Sequence, residues 1–568
     1  MTKFKQSVVN IPEICAQKGV RNVIISPGSR SAPLTLAFLR HPGITCRTIV
    51  DERSAAFVAL GLAQQIEAPV ALICTSGTAA LNYAPAVAEA FYQQIPLLVL
   101  TADRPPEWIG QNDGQTIVQQ QLFAPHCRAA LELPVDDSHS DARWHSERIV
   151  SEAINRTQWP VPGPVHINVP LREPLYPAQE LTYETDVKTI SLVQPQAFLA
   201  VATWQALLSE WTETRKKLIV AGLARPNESL NKTLATLQKG GDCVLIADVV
   251  SNCHNCHPVQ HADMILGTSA ESLQCDLMPD LLVTFGGAVV SKNLKLLLRK
   301  YKPRRHWQVQ LDSACVDTFQ SLTHILPVTP EYFFDTLQKR VPDGRAQDHE
   351  YFSRWQEMAN RAQRTLDAFL GHAPHCELLT MAAVLTQLPP ESCLQLGNSS
   401  IVRLASLVSL AATKGLSVNS NRGTSGIDGT VSTAVGAALA TDSITTLITG
   451  DLAFFYDRNA LWNRYVPPNL RVVVFNNGGG GIFRILDGSS TLPELAPHFE
   501  VEHELRAKNV ARDHGLQYRY CDSAEALVGA LPEFFAPGNR AALLEVGFDK
   551  KVNADAFMKF RSMMREIK

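Results

Sequence analysis

Short runs rich in Val, Ile and Leu alternate with longer amphipathic stretches along the whole chain, and that alternation constrains the fold most. Strands covered on both faces read as continuous apolar runs, whereas covering helices read with a helical period. The runs fall into three groups: 22–25, 70–74, 96–100 and 165–169; then 217–220, 243–246, 281–285 and 307–311; then 393–396, 416–418, 444–449, 471–475 and 542–546. A Pro-rich stretch from Pro170 to Pro177 reads as an extended linker after the first group. A polar segment from Arg340 through Val341, Pro342, Asp343 and Gly344 to Arg345 separates the second group from the third. With 568 residues the chain is too long for one core. The expectation is three α/β domains of doubly wound parallel sheet, over 1–180, 190–340 and 350–568.

Hydrophobic residues make up 45% and charged residues 19%, which excludes a disordered chain. A net charge of −3, with Lys and Arg dispersed, leaves no footprint for nucleic acid. The opening Met1-Thr2-Lys3-Phe4-Lys5-Gln6 lacks the apolar stretch of a signal peptide, and no segment reaches 18 uninterrupted apolar residues. Twelve scattered cysteines then read as reduced thiols of a cytoplasmic protein. Cys253-His254-Asn255-Cys256-His257 matches a haem-attachment pattern and half a zinc site. No second C-x-x-C follows, so the expectation is a loop without metal.

Polar, glycine-bearing motifs follow the strands of the outer two groups. They are Ser26-Pro27-Gly28-Ser29-Arg30-Ser31, Thr75-Ser76-Gly77-Thr78, Thr101-Ala102-Asp103-Arg104-Pro105, Gly397-Asn398-Ser399-Ser400 and Asn419-Ser420-Asn421-Arg422-Gly423. In open parallel sheets ligands lie beyond the carboxyl ends of the strands. The middle group is plainer, which suggests a scaffold between two functional domains. Two runs close on Gly450-Asp451 and Asn476-Asn477, the second followed by Gly478-Gly479-Gly480-Gly481. Asp451, Asn477 and a backbone carbonyl of the glycine run would give hard oxygen ligands for Mg²⁺. The same residues also suit ordinary turns at strand ends.

Gly450-Asp451 with Asn476-Asn477 resembles the metal–diphosphate motif of thiamine diphosphate enzymes, which are built from three α/β domains. Longer blocks narrow the likeness: Ser26 to Ser31, Asp51-Glu52-Arg53, Thr75-Ser76-Gly77-Thr78-Ala79, Thr101 to Glu107 and Ser420 to Gly429. These resemble the menaquinone-pathway synthases of that superfamily, transferases of aldehyde or ketone residues that form 2-succinyl-5-enolpyruvyl-6-hydroxy-3-cyclohexene-1-carboxylate. The resemblance implies decarboxylation of 2-oxoglutarate and 1,4-addition of the succinyl carbanion to isochorismate, with thiamine diphosphate and Mg²⁺ or Mn²⁺.

By the same resemblance Glu52 activates the aminopyrimidine ring, and Glu52, Gln115 and Arg30 are the catalytic groups. Glu52 read alone also suits charge compensation at a helix N-terminus. Asp451, Asn477 and the Gly479 carbonyl match the metal ligands. Ser399, Ile427, Ile482 and Phe483 match cofactor contacts, with Ile427 propping the bent coenzyme. Ser29, Arg30, Arg104, Gln115, Lys292, Ser399, Arg403, Arg422 and Leu486 match the substrate contacts. Both substrates are dianions, for which the planar arginine fork is well suited. Gly114 stands where the family often has Asn, and Asn293 where a second basic residue often follows. The family's active sites lie between subunits, so a homodimer or dimer of dimers is implied. Two rivals remain at this point: another thiamine-dependent 2-oxoacid decarboxylase or carboligase, and a silent binding protein that retains the fold.

Overall fold

The computed structural model describes residues 5–176, 180–268, 270–341, 349–410, 415–485 and 488–567. Residues 1–4, Pro177, Pro342, Asp343, Gly344, Arg345 and the expected substrate contact Leu486 lie outside these.

Three parallel sheets form, as the alternation predicts. The first contains β1 (Asn22–Ile25), β2 (Thr45–Thr48), β3 (Val70–Cys74), β4 (Leu97–Asp103), β5 (Ala129–Glu132) and β6 (Pro164–Pro170), in the order β2-β1-β3-β4-β6-β5. The middle sheet contains β7 (Lys217–Ala221), β8 (Val244–Ala247), β9 (Leu281–Phe285), β10 (Arg305–Val309) and β11 (His324–Leu326), in the order β11-β10-β9-β7-β8. The third contains β12 (Cys393–Leu396), β13 (Ser417–Ser420), β14 (Thr445–Gly450), β15 (Leu470–Asn476), β16 (Gln517–Cys521) and β17 (Ala542–Gly547), in the order β13-β12-β14-β15-β17-β16. The outer sheets therefore share one topology. Each reverses direction beside its first strand, between β1 and β3 and between β12 and β14, which opens a crevice at the carboxyl edge.

Alternate residues of the central strands enter different cores. On β15, Val472 and Val474 join a core shared with the first unit, while Val473 and Phe475 join one shared with the middle unit. That two-sided burial explains why the strands read as unbroken apolar runs.

The helix Glu52–Ile66 of the first unit packs on Thr430–Ala438 of the third. All nine residues of the latter are buried. Glycines set the spacing: a Cβ on Gly61 would lie 2.0 Å from the Thr433 carbonyl oxygen, and one on Gly436 would lie 2.0 Å from that of Val58. Two polar clasps complete the docking. Glu89, 1% exposed, accepts hydrogen bonds from the N–H groups of Gly423 (2.7 Å) and Thr424 (2.6 Å) and from Thr424 Oγ1 (2.5 Å). Asn252 of the middle unit exchanges a pair of hydrogen bonds with Val418 on β13, at 2.8 and 2.9 Å. No helix of the described residues is long and apolar enough to cross a membrane.

Candidate functional site

The third sheet brings Asp451 and the glycine run together. Asp451 opens the short helix Asp451–Tyr456 directly after β14, and its Oδ2 accepts from the N–H groups of Gly478 (2.8 Å) and Gly479 (3.0 Å) beyond β15. Its Oδ1 accepts from Leu452 N–H at 2.6 Å. Gly478 and Gly479 hold φ of 76° and 151°, and a Cβ on Gly479 would meet the Glu500 carbonyl oxygen at 2.6 Å, so both positions require glycine. Burial raises the Asp451 carboxyl, opposed by the His503 charge, whose Nε2 lies 3.5 Å away, and by the three backbone N–H groups. A bound divalent cation would reverse that balance.

Asn477 donates from Nδ2 to Glu377 Oε1 at 2.6 Å, while its Oδ1 is buried without a partner among the described residues. Among the described residues no three His, Cys, Asp or Glu side chains cluster as a metal site. The oxygen set here is of a different kind: one carboxylate, one orphaned amide oxygen and the Gly479 carbonyl, which among the described residues accepts only from Gly481 N–H at 3.0 Å. A carbonyl oxygen has two lone pairs, so one remains open. These donors fit a hard cation that keeps phosphate oxygens as its other ligands. Burial pushes the Glu377 carboxyl up to about 7; the Asn477 hydrogen bond lowers it and the Asp451 charge raises it.

The loops after β12 and β13 are stitched together beside this set. Asn398 Nδ2 donates to the carbonyls of Asn421 and Gly426, both at 2.7 Å, and its Oδ1 accepts from Arg422 at 3.1 Å. Ser399 holds φ of 68°, a strained backbone for a residue with a Cβ, and its carbonyl accepts from Arg403. Ile427 is 39% exposed and so is not core packing within one chain. Ile482 and Phe483 are half-buried on the short helix Ile482–Ile485.

In the first unit Glu52 opens its helix half-buried, with Asp51 capping through Ser54 N–H at 3.1 Å. Asp51 also accepts from Asn459 Nδ2 at 2.8 Å, and Arg53 donates to the Tyr456 carbonyl at 2.9 Å. Cys74 and Tyr83 titrate high through burial, and the Glu52 charge adds to both, placing its field over the end of β3. Arg30 is buried, donates to the Leu171 carbonyl at 3.1 Å and lies 3.6 Å from Glu173. Burial and then the Arg104 charge lower its pKa, so the two arginines form one cluster; Arg104 pairs with Asp113. The Gln115 backbone lies against Gly77, where a Cβ would approach its Cα at 3.3 Å. Ser29, next to Arg30 in the chain, is exposed.

A second basic cluster joins the middle and third units. Lys292 is exposed at the start of the helix Lys292–Lys300. One turn on, Lys295 is half-buried, donates to the Val289 carbonyl at 2.9 Å and is lowered by burial and then by the charges of Arg422 and, further down, Arg403. Buried Asp248 and half-buried Asp263 balance these cations. Burial raises both, Asp248 to about 6, while Arg422 lowers the one and Arg403 the other. Among the described residues no hydrogen bond or ion pair links this cluster to Arg30 and Arg104.

Comparison with known proteins decides the family. Residues 10–123 match the model described as thiamine pyrophosphate enzyme, N-terminal TPP binding domain, and 188–394 match the middle domain of thiamine pyrophosphate. A protein of Cytophaga hutchinsonii named 2-succinyl-5-enolpyruvyl-6-hydroxy-3-cyclohexene-1-carboxylate synthase is 42% identical over 563 residues, covering 99% of each chain. Proteins of the same name from Flavobacterium psychrophilum (96% of each chain) and Desulfotalea psychrophila (96% of this chain, 99% of that one) are each 40% identical. The chain belongs to the 2-succinyl-5-enolpyruvyl-6-hydroxy-3-cyclohexene-1-carboxylate synthase family. Membership makes it a thiamine diphosphate-dependent transferase of menaquinone biosynthesis.

Within this synthase family member, several groups at the site carry no sequence motif. Glu377, His503, Asp248, Asp263 and Glu89 come from distant segments and reach the motif residues only through the fold. Lys295 had one signal, its position three residues after Lys292 on one helix face. Cys253 and Cys256 are buried free thiols, with Cys256 Sγ donating to Asn231 Oδ1 at 3.1 Å.

Proposed function

We propose that the chain decarboxylates 2-oxoglutarate and transfers the remaining four-carbon unit to isochorismate by 1,4-addition, releasing CO2. The observation that carries this reading is the oxygen set of Asp451, the orphaned Asn477 Oδ1 and the Gly479 carbonyl, one loop away from Arg422 and Arg403. Thiamine diphosphate, when bound, supplies the electron sink for the carbon chemistry.

The chain's own residues do the rest. Asp451, Asn477 and Gly479 would hold Mg²⁺ or Mn²⁺, which would supply positive charge for a diphosphate. Ser399 and Ile427 would contact the coenzyme, and Ile482 and Phe483 would help exclude water from it. Glu52 shares a proton with the pyrimidine ring nitrogen, a task suited to a partly desolvated carboxyl. Arg30 and Arg104, with Ser29 and Gln115, hold one set of carboxylates. Arg403 and Arg422, with Lys292 and Lys295, hold the other. Gly114, which has open space beside it, and Asn293, whose Nδ2 donates to the Asp263 carbonyl at 3.1 Å, leave that binding to these cations.

Two arginine clusters unlinked among the described residues support a site completed by a second copy, in a C2 homodimer or a dimer of such dimers. Ile427, Trp108 and Val118, exposed in loops beyond the outer sheets, suit cover by that copy. Twelve unpaired cysteines suit a reducing cytoplasm. The domain limits of this reading are 1–180, 190–340 and 350–568. Purified enzyme given thiamine diphosphate, Mg²⁺ and 2-oxoglutarate should consume isochorismate with matching CO2 release, lose activity to a chelator and regain it with Mg²⁺ or Mn²⁺. Turnover of pyruvate in place of 2-oxoglutarate refutes the assignment.

A further inference from the structure

The amide of Asn477 faces a carboxylate that none of the roles above employs. Glu377, 6% exposed, opens the helix Glu377–Thr386, and its own N–H is fixed by Asn553 Oδ1 at 2.9 Å from the helix Lys550–Arg565. Its Oε1 accepts from Asn477 Nδ2 at 2.6 Å. The two ends of a carboxamide are nearly equal in shape, so its orientation is set by hydrogen bonding. A carboxyl oxygen that carries no proton can only accept, and Glu377 Oε1 is the acceptor in this contact. Glu377 therefore takes the nitrogen end of Asn477, and the oxygen end is left buried and unpartnered. Gly481 also lies close to this nitrogen end, since a Cβ there would lie 2.6 Å from Asn477 Nδ2.

We propose that Glu377 is the positioning residue of the metal centre: it locks the Asn477 amide so that Oδ1 is presented to the cation. This rests on the metal role given above to Asp451, Asn477 and Gly479. A side chain retained only for packing would impose no such polarity. Glutamine in its place has the same shape but offers both a donor and an acceptor, so it tolerates either orientation of the Asn477 amide. Glu377 also borders a small cavity with Ser400, Leu404, Gly481, Ile482 and Asn553, which leaves room for near-isosteric replacements.

The test reads metal binding rather than turnover. Mn²⁺ binding to the full chain with thiamine diphosphate, followed by electron paramagnetic resonance, should weaken about 10- to 100-fold in Glu377→Gln, the range for groups that orient metal ligands. The ligand-free unfolding temperature should hold or rise, because a buried group that is costly to ionise has been removed. Asn477→Asp should also bind Mn²⁺ poorly, since two carboxylates then face each other. The double variant Asn477→Asp with Glu377→Gln restores a donor facing an acceptor, and should bind Mn²⁺ more tightly than Asn477→Asp alone. A packing role predicts that the two losses add instead. Additive losses, or wild-type Mn²⁺ binding in Glu377→Gln while Asp451→Ala has lost the ion, overturn the role of Glu377 alone. Wild-type Mn²⁺ binding in Asp451→Ala removes the metal centre itself and the role of Glu377 with it.

Discussion

Replacing Gly61 by Ala should destabilise the joint between the first and third units, although alanine is the better helix former. In a helix interior Ala gains about 1 kcal/mol over Gly. Against that, the new Cβ would lie 2.0 Å from the Thr433 carbonyl oxygen. Ordinary contact needs about 3.5 Å, so about 1.5 Å of separation must be found. The obstacle is helix backbone, which does not swing aside as a long side chain can. Overpacking of this kind costs about 1–3 kcal/mol, and a rigid obstacle belongs at or above the upper end. The clash therefore wins by roughly 2 kcal/mol or more. Gly436→Ala meets the Val58 carbonyl at the same distance and should behave alike. Gly529, inside the helix Ala524–Phe535 with nothing within 4 Å of its missing Cβ, is the internal control. Differential scanning calorimetry should show lower transitions for Gly61→Ala and Gly436→Ala and an unchanged or higher one for Gly529→Ala. Equal shifts of one sign for all three would refute the reasoning, because propensity alone would then govern.

Glu52→Gln should retain thiamine diphosphate by calorimetric titration while turnover falls about 10²- to 10⁴-fold; unchanged turnover removes its role as proton partner. Arg422→Ala should raise the KM for isochorismate about 10- to 100-fold, the worth of a charge-assisted hydrogen bond, and an unchanged KM excludes Arg422 from that subsite. Asp457, fully buried, accepts from Ser432 N–H (2.6 Å) and Oγ (2.8 Å) and faces Arg53; burial pushes its carboxyl up to about 7 from 3.8. The folded chain then holds this proton more tightly than the unfolded one. Its contribution to stability falls as pH rises from about 4 to about 7, by at most about 1.4 kcal/mol per unit, and the penalty is complete above that window. Denaturant titrations of Asp457→Asn and wild type should diverge over that window and run parallel above it, whereas a gap independent of pH refutes the assignment.

Most strands that are readable in the sequence are covered on both faces; β13, an edge strand with alternating burial, is an exception. β3, β4, β14 and β15 lie inside their sheets and appear as unbroken apolar runs. The strands without such runs, β2, β5, β11 and β16, all lie at sheet edges, where half-exposed residues such as those of Thr45–Thr48 and Gln517–Cys521 carry no apolar signature. At the site, Asp451, Asn477 and the arginines are legible because each ends a strand with a motif. Glu89 and Glu377 are not, because their partners lie 334 and 100 residues away and one buried carboxylate leaves no local pattern. Gly61 and Gly436 read as ordinary helix interruptions until their two helices are seen touching.

β15 serves as a wall common to two rooms. Since Val472 and Val474 hold one neighbour and Val473 and Phe475 the other, loosening either side strips support from the same six-strand slab. Protease nicking between the units should therefore release no separately folded third fragment, and heat should dismantle all three parts in concert.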